Sequence, residues 1–462
     1  MPAHPIDFQI QAGFYSTPEL AAIFDEKTRI ARWLQIEATL AGVQGELDII
    51  PLQAAEEIVR KAKLQNLDIA KITKEYEQSR NSLVPVIRAL KQVCEEGFCE
   101  FIHFGITTQD VLDTALILEQ KDALAIVYRD LRKLEELLIG LAQKYCNTPM
   151  IGRTHGQQAL PITFGLKVSI WTAEIRRHIE RLLSLGPRLF TIQLSGAVGT
   201  MAALGPQARK VAGLTAEKLG LSATVPNWHT SRDTVAEAAA VYGLICATLE
   251  KIASEIVQLS KTEIGEVAEI APHQAQSSST MPHKKNPVLC QRTAVLSRHA
   301  RALVSVVMDS MIHEHERDAR ALWSEWLAIP QVSIYSGTAL HNLISVIEHL
   351  EVRTDQMLKN LYRQKELVVS EWLLFKLAQK MGKTRAQEKV QALIKLLEGG
   401  NRIFKDILLE DPDIGPLLQK KIWSILKSRN ATAAWPQKLS MIRSEKLRQR
   451  DNMTPRIYSN VL

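Results

Sequence analysis

The chain's 462 residues, 46% of them hydrophobic, are enough for a large core and for two or three domains. A formal charge of +7 suits an anionic substrate, and without a dense Lys/Arg run interleaved with aromatics the sequence does not read as a nucleic-acid binder. Five scattered cysteines (Cys94, Cys99, Cys146, Cys246, Cys290), no basic leader before an apolar run and no apolar stretch near ~20 residues argue against a disulfide framework, a zinc site and a membrane span; the expected compartment is the cytoplasm.

Only 22 Gly and 18 Pro punctuate the chain, which favours an all-α protein. Residues 1–110 read as a small N-terminal helical domain. Ser16-Thr17-Pro18-Glu19 has the form of an N-cap followed by Pro and Glu in a first turn. Between Glu26 and Leu47, Ile30, Trp33, Leu34, Ile36, Leu40 and Val43 recur at helical spacing. Pro51 and Pro85 mark further helix starts or breaks.

The stretch His103-Phe104-Gly105-Ile106-Thr107-Thr108-Gln109-Asp110 leads into a segment with no proline from Val111 to Pro149. Thr107 or Thr108 can cap that helix, whose N-terminus would also attract an anion. Leu124, Val127, Leu131, Leu134, Leu138 and Leu141 form a coiled-coil-like seam, so the helix needs partners along its length. Similar long segments run from about Pro161 to Leu185, Val235 to Ile270, Val288 to His313 and Gln331 to Leu361, indicating a central bundle over 111–364. From about Lys365 the chain is more charged, with Gly382, Gly399, Gly400 and Pro412 as breakers, and 365–462 reads as a small C-terminal helical domain.

Chemistry-bearing residues gather in the connections. Gly152-Arg153-Thr154-His155-Gly156-Gln157-Gln158-Ala159-Leu160-Pro161 lies between the first two long helices, and an imidazole there is suited to protonating a leaving group near neutral pH. Ser195-Gly196-Ala197-Val198-Gly199-Thr200 precedes Trp228-His229-Thr230-Ser231-Arg232-Asp233, the latter also a possible helix cap. His313-Glu314-His315-Glu316-Arg317-Asp318 offers too few ligands on one face for a metal and reads as a hydrogen-bonded loop entry.

Gln276-Ser277-Ser278-Ser279-Thr280-Met281-Pro282-His283-Lys284-Lys285-Asn286-Pro287 combines four consecutive hydroxyl residues with two prolines and two adjacent lysines. Its composition disfavours helix, so it is a loop presenting hydroxyls and positive charge. It resembles the signature loop of the fumarase/aspartase superfamily, Gly-Ser-Ser-x-Met-Pro-x-Lys-x-Asn-Pro. Seven of the eight specified letters stand here, with Ser277 replacing the leading glycine. The 103–110 and 152–161 stretches are similar to the superfamily's other two signature regions.

This resemblance implies three helical domains, a homotetramer whose pooled bundles form a twenty-helix core, and active sites shared between chains. It implies that Ser278 is the base, that His155 is the acid, and that Lys284 binds a substrate carboxylate with Asn286 beside it. It further implies substrate contacts from Thr107, Thr108 and Gln109, with His103 lining the site, and from Thr154, Gln157, Ser279 and Met281. Thr230 and Arg232 are expected near the substrate. A serine is a base only where cations and N–H groups stabilise its alkoxide, which the lysines and loop amides could do. The substrate is then a small anionic di- or tricarboxylate, and the elimination needs no metal, flavin or nicotinamide cofactor.

Within the superfamily, the 157–165 and 315–326 wording is most like the 3-carboxy-cis,cis-muconate cycloisomerase branch. Departures from adenylosuccinate lyases are Asn81 for a histidine, Gln291 for a glutamate, and Trp323 and Trp326 where that family has Ser and Arg near a nucleotide phosphate. His155 points the other way, because type cycloisomerases carry tryptophan there. The expected reaction is β-elimination from an N- or O-substituted succinyl compound to give fumarate or a substituted fumarate. A cycloisomerase and a non-catalytic scaffold are the alternatives.

Overall fold

The computed structural model describes residues 4–8, 10–223, 226–270, 281, 284–363, 367, 370–398 and 404–415. Six helices precede the bundle: α1 (Ala12–Tyr15), α2 (Pro18–Ile23), α3 (Glu26–Glu46), α4 (Leu52–Lys61), α5 (Ile69–Ser79) and α6 (Val84–Val93). Thr17 caps α2 by accepting the Leu20 N–H, with Pro18 at the first helical position. Asn81, at a position where the sequence departs from adenylosuccinate lyases, accepts the Leu83 and Val84 N–H groups through Oδ1 and so starts α6.

The bundle begins with α7 (Thr108–Lys144), whose 37 residues rise about 55 Å. An antiparallel hairpin follows, β1 (Pro149–Thr154) with β2 (Gln157–Thr163), leading into α8 (Phe164–Leu189). Then come α9 (Ala208–Leu219), α10 (Asp233–Ser260), the short strand β3 (Val267–Ala268), α11 (Val288–Asp309) and α12 (Ala319–Glu348). Strand β4 (Glu351–Val352) pairs with β3, and α13 (Thr354–Arg363), α14 (Ser370–Met381), α15 (Lys383–Glu398) and α16 (Phe404–Glu410) complete the described chain.

Contacts fix the direction of each long helix. Arg176 donates to Glu135, while Lys167 and Arg188 pair with Glu255 and Glu237, so α8 runs antiparallel to both α7 and α10. Arg298 pairs with Glu250, turning α11 back, and α12 runs parallel to α7, since Gln120 meets Ser333 and Lys133 meets Glu348. Leu124, Leu131, Leu134 and Leu138 of α7 pack without exposure against Ile175, Ile179, Leu182, Ile245, Leu249 and Leu340 in one continuous core. A separate apolar cluster of Leu373, Leu377, Val390, Phe404 and Ile414 joins α14, α15 and α16.

Among the described residues the fold is all-α with two small two-stranded sheets, and several expected boundaries move: the stretch from Gln331 to Leu361, expected as one helix, is broken after Glu348 by β4 before α13 begins at Thr354. Pro161 does not open a helix. It pairs with Ile151 in the isolated hairpin, where a residue lacking N–H is tolerated at an edge, and α8 starts at Phe164. The segment from Val235 to Ile270 is not helical throughout, because α10 ends at Ser260 and β3 follows. Pro330 lies inside α12 instead of before it, its lost hydrogen bond outweighed by the buried Ile329, Val332 and Tyr335 around it.

Gly165 allows the start of α8 to touch the end of α7. A Cβ there would sit 2.6 Å from the Ala142 carbonyl oxygen and 2.6 Å from Cys146 Cα. Gly165→Ala is expected to destabilise by about 1–3 kcal/mol through overpacking, seen as a lowered thermal midpoint.

Candidate active site

Two sets of candidate site residues stand at opposite ends of the bundle. At the first end, Thr107 is the N-cap of α7 and the half-buried Thr108 its first residue. Asp110, fully buried, gathers this end through four donors. Its Oδ1 accepts the Ser195 N–H (2.9 Å) and faces His229 Nε2 (3.0 Å); its Oδ2 accepts the Gly196 N–H (2.9 Å) and the Thr107 N–H (3.0 Å). One carboxylate therefore ties the helix start to both loops the sequence singled out. Gly199 closes the arrangement, since any Cβ would overlap the Asn227 side chain that donates to the Gly199 carbonyl.

One turn along α7, Asp113 accepts from Arg232 Nη1 and Nη2 at 2.9 and 3.0 Å. Glu325 of α12 holds the other edge, accepting from Arg232 Nε at 2.9 Å and from Nη2. Arg232 stacks on the Trp228 ring, 4.9 Å from its centroid, and is 1% exposed. Burial disfavours its charge, but Asp113 and Glu325 outweigh that and raise its pKa. Arg232, expected near the substrate, has its guanidinium held by two carboxylates, an arrangement that fixes the 228–232 turn.

Gln109 is also buried, donating to Asp113 Oδ2 (3.1 Å) and the His229 carbonyl (3.3 Å), while its Oε1 has no hydrogen-bond partner among the described residues. Thr230 is half-buried in the same turn. The exposed Arg317 donates from Nη2 to Thr107 Oγ1 (3.2 Å) and the Ala197 carbonyl (2.7 Å), placing a cation at the mouth of this end. His103, at φ 62°, presents Nδ1 to Glu37 Oε1 at 2.6 Å and its own N–H to Oε2 at 3.1 Å. Burial opposes the charged ring, but the Glu37 hydrogen bond and charge prevail, so the His103 pKa lies above its ordinary value.

The hairpin stands at the second end. Thr154, His155, Gly156 and Gln157 form its exposed tip, with positive φ at His155 (52°) and Gly156 (77°). Two such residues make a primed turn, usually Asn-Gly or Asp-Gly, so a histidine there holds its ring out at some backbone cost. Arg153, just below, donates to Glu266 at 3.0 and 2.7 Å, and Asn360 donates to the same carboxylate at 2.8 Å. Lys284 is exposed and Asn286 half-buried just ahead of α11, with Met281 43% exposed. Glu269 accepts the Leu289 and Cys290 N–H groups of α11 at 2.8 and 3.0 Å. Ser278 and Ser279 lie outside the described residues.

Thr107, Thr108, Gln109 and Thr230 are thus brought together, while His155 and Lys284 stand at the same far end, each exposed and each anchored through neighbouring residues to the segment around β3. The two sets are separated by roughly the 55 Å length of α7. Asp110, Asp113, His229, Glu266, Glu269, Arg317 and Glu325 were not recognised from sequence. Asp110, His229, Arg317 and Glu325 lie inside stretches singled out above without being given a role, and the Thr-x-x-Asp spacing of Thr107 and Asp110 is a variant of the capping box.

A lyase family model matches residues 16–301. The chain belongs to this family. It is 42% identical over 415 residues to an N-acetyl-S-(2-succino)cysteine lyase of Enterococcus italicus, covering 90% of this chain and 91% of that one. It is 36% identical to an adenylosuccinate lyase of Methanocaldococcus jannaschii, covering 91% of each. The structure of a 3-carboxy-cis,cis-muconate lactonizing enzyme from Pseudomonas putida superposes with a TM-score of 0.86 at 31% identity, covering 94% of this chain and 98% of that one. The chain is therefore an enzyme of the fumarase/aspartase superfamily, in its adenylosuccinate lyase-like and cycloisomerase-like branch.

Arg232→Met leaves Asp113 and Glu325 buried without their cation and is expected to cost about 3–5 kcal/mol, read from the denaturation midpoint. The Glu37 pair predicts a pH signature. A histidine pKa raised by folding adds stability below about pH 6.5, its unfolded value, and that stability is lost as pH rises through the higher folded value. Glu37→Gln should therefore destabilise more at about pH 6 than at about pH 9 when thermal midpoints are compared.

Proposed function

We propose that this lyase eliminates a thiol from an S-succinyl compound of the N-acetyl-S-(2-succino)cysteine type, giving fumarate and the free thiol. The observation that carries this reading is Trp323. It is 59% exposed in the first turns of α12, between Arg317, which touches Thr107, and Glu325, which holds Arg232. Trp326, one turn on, packs against the core. An indole offers one N–H and an apolar face, a poor receptor for a nucleotide phosphate and a good one for a small acylated thioether. The extensive similarity to the Enterococcus protein supports the same choice.

In this reading Ser278 takes a proton from the carbon next to a carboxylate. The electron pair forms the carbon–carbon double bond, the C–S bond breaks, and the departing sulfur takes a proton from His155. Lys284 and Asn286, with Thr107 and Thr108, stabilise the doubly charged carboxylate formed on the way. His103, Thr154, Gln157, Thr230, Ser279 and Met281 border the substrate, while Gln109 and Arg232 act by fixing the helix start and the 228–232 turn. A thiol is a better leaving group than an amine, so less rests on the acid.

We also propose that the enzyme works in the cytoplasm as a homotetramer divided near residues 110 and 364. The separation of Thr107 from His155 supports assembly, since one chain cannot close both sets around a small dicarboxylate. Antiparallel packing of two bundles would bring the first end of one chain to the second end of another. Exposed apolar residues on the long helices, including Leu244, Val295, Val306 and Leu327, suit that packing.

A substrate panel tests the reaction. Release of fumarate from N-acetyl-S-(2-succino)cysteine, with adenylosuccinate and carboxymuconate turned over at least ~100-fold less well, is the expected result. Turnover of carboxymuconate alone would establish a cycloisomerase. Ser278→Ala should lower kcat by about 10²–10⁴-fold. Mixing inactive Thr107→Val and His155→Asn proteins, then allowing subunits to exchange, should restore roughly a quarter of the activity, because random assortment places two intact sets together in one site of four.

A further inference from the structure

We infer that Glu266 and Glu269, which flank β3, are positioning residues that fix the acid-bearing hairpin and the start of α11, just beyond Lys284, to one short strap. Both side chains are buried, at 0% and 6% exposure. They are three residues apart, so an extended backbone sends them to opposite faces. Glu266 receives Arg153, two residues before His155, together with Asn360 Nδ2. Glu269 reaches the other way, to the first-turn N–H groups of Leu289 and Cys290, just beyond Lys284 and Asn286.

Between the two acids, Val267 and Ala268 pair with Val352 and Glu351 of β4, and Glu351 Oε2 lies 3.4 Å from Lys285 Nζ. The strap therefore holds the hairpin through a bidentate ion pair and α11 through a carboxylate cap. Because Glu269 occupies the α11 N-terminus, those two N–H groups are spent on the protein instead of on substrate. Loosening either tie by about 1 Å would misplace a group that must meet the substrate, at a cost of ~10²-fold.

This inference rests on the proposed roles of His155 and Lys284, and its test separates the two. Full-length Glu266→Gln, Glu269→Gln and His155→Asn proteins are assayed with N-acetyl-S-(2-succino)cysteine and with 2-(4-nitrophenylthio)succinate, whose aryl thiolate leaves without a proton. Glu266→Gln should copy His155→Asn, slowing the alkyl thioether by ~10–100-fold and the aryl thioether by less than ~3-fold. Glu269→Gln should slow both substrates by the same factor, since carboxylate stabilisation serves both. The double variant Arg153→Gln/Glu266→Gln, which leaves no bare charge buried, serves if Glu266→Gln does not fold.

If Glu266→Gln is inert or slows both substrates alike while His155→Asn discriminates, the hairpin tie is overturned with the acid assignment intact. A Glu269→Gln protein that is inert, or that discriminates between the substrates, overturns the second tie. If His155→Asn itself does not discriminate, the acid assignment falls and the hairpin tie falls with it.

Discussion

Burying the Arg232 guanidinium commits the molecule to pairing it, and that requirement organises one end of the bundle. Asp113 and Glu325 belong to α7 and α12, and Arg232 to the turn entering α10, so one cation draws three segments into register. Asp110 repeats the device one turn earlier with N–H groups and His229 in place of a guanidinium. Such clusters stabilise little over an apolar core, yet breaking one is costly. Their use here is to hold Thr107 and Thr108 in place at a helix start where an anion is already favoured.

The opposite end solves a different problem. A hairpin tip and a loop connection have few core contacts of their own, so position must come from ties at their bases. Glu266 and Glu269 supply these from β3, whose backbone is paired to β4. The five long helices act as spacers between the two ends. Their alternating directions put Thr107 and Thr108 at one end of the chain and His155 and Lys284 at the other, and the proposed tetramer is what would bring the two ends together.

What the sequence displayed was the periodic and the local. The leucine seam of α7, the bundle and the signature stretch around Lys284 could all be read directly, and the proline at position 18 marked its helix start. The hairpin was hidden because Pro161 reads as a helix opener, and only its pairing with Ile151 reveals an edge strand. The role of Arg232 was hidden for another reason: its partners lie 119 and 93 positions away, and a buried ion pair has no local pattern. Glu269 likewise reaches 20 positions along the chain to cap α11, farther than any capping motif extends.

The central claim is that a carbon–sulfur bond is made and broken together with proton transfer at the neighbouring carbon. Running the reaction backwards in deuterium oxide, with fumarate and N-acetylcysteine followed by proton NMR, tests it most directly. The account predicts enzyme-dependent formation of the thioether with one deuterium placed in a single orientation on the methylene carbon, abolished in Ser278→Ala. Formation of no adduct beyond the uncatalysed background, or deuterium in both orientations, would contradict it.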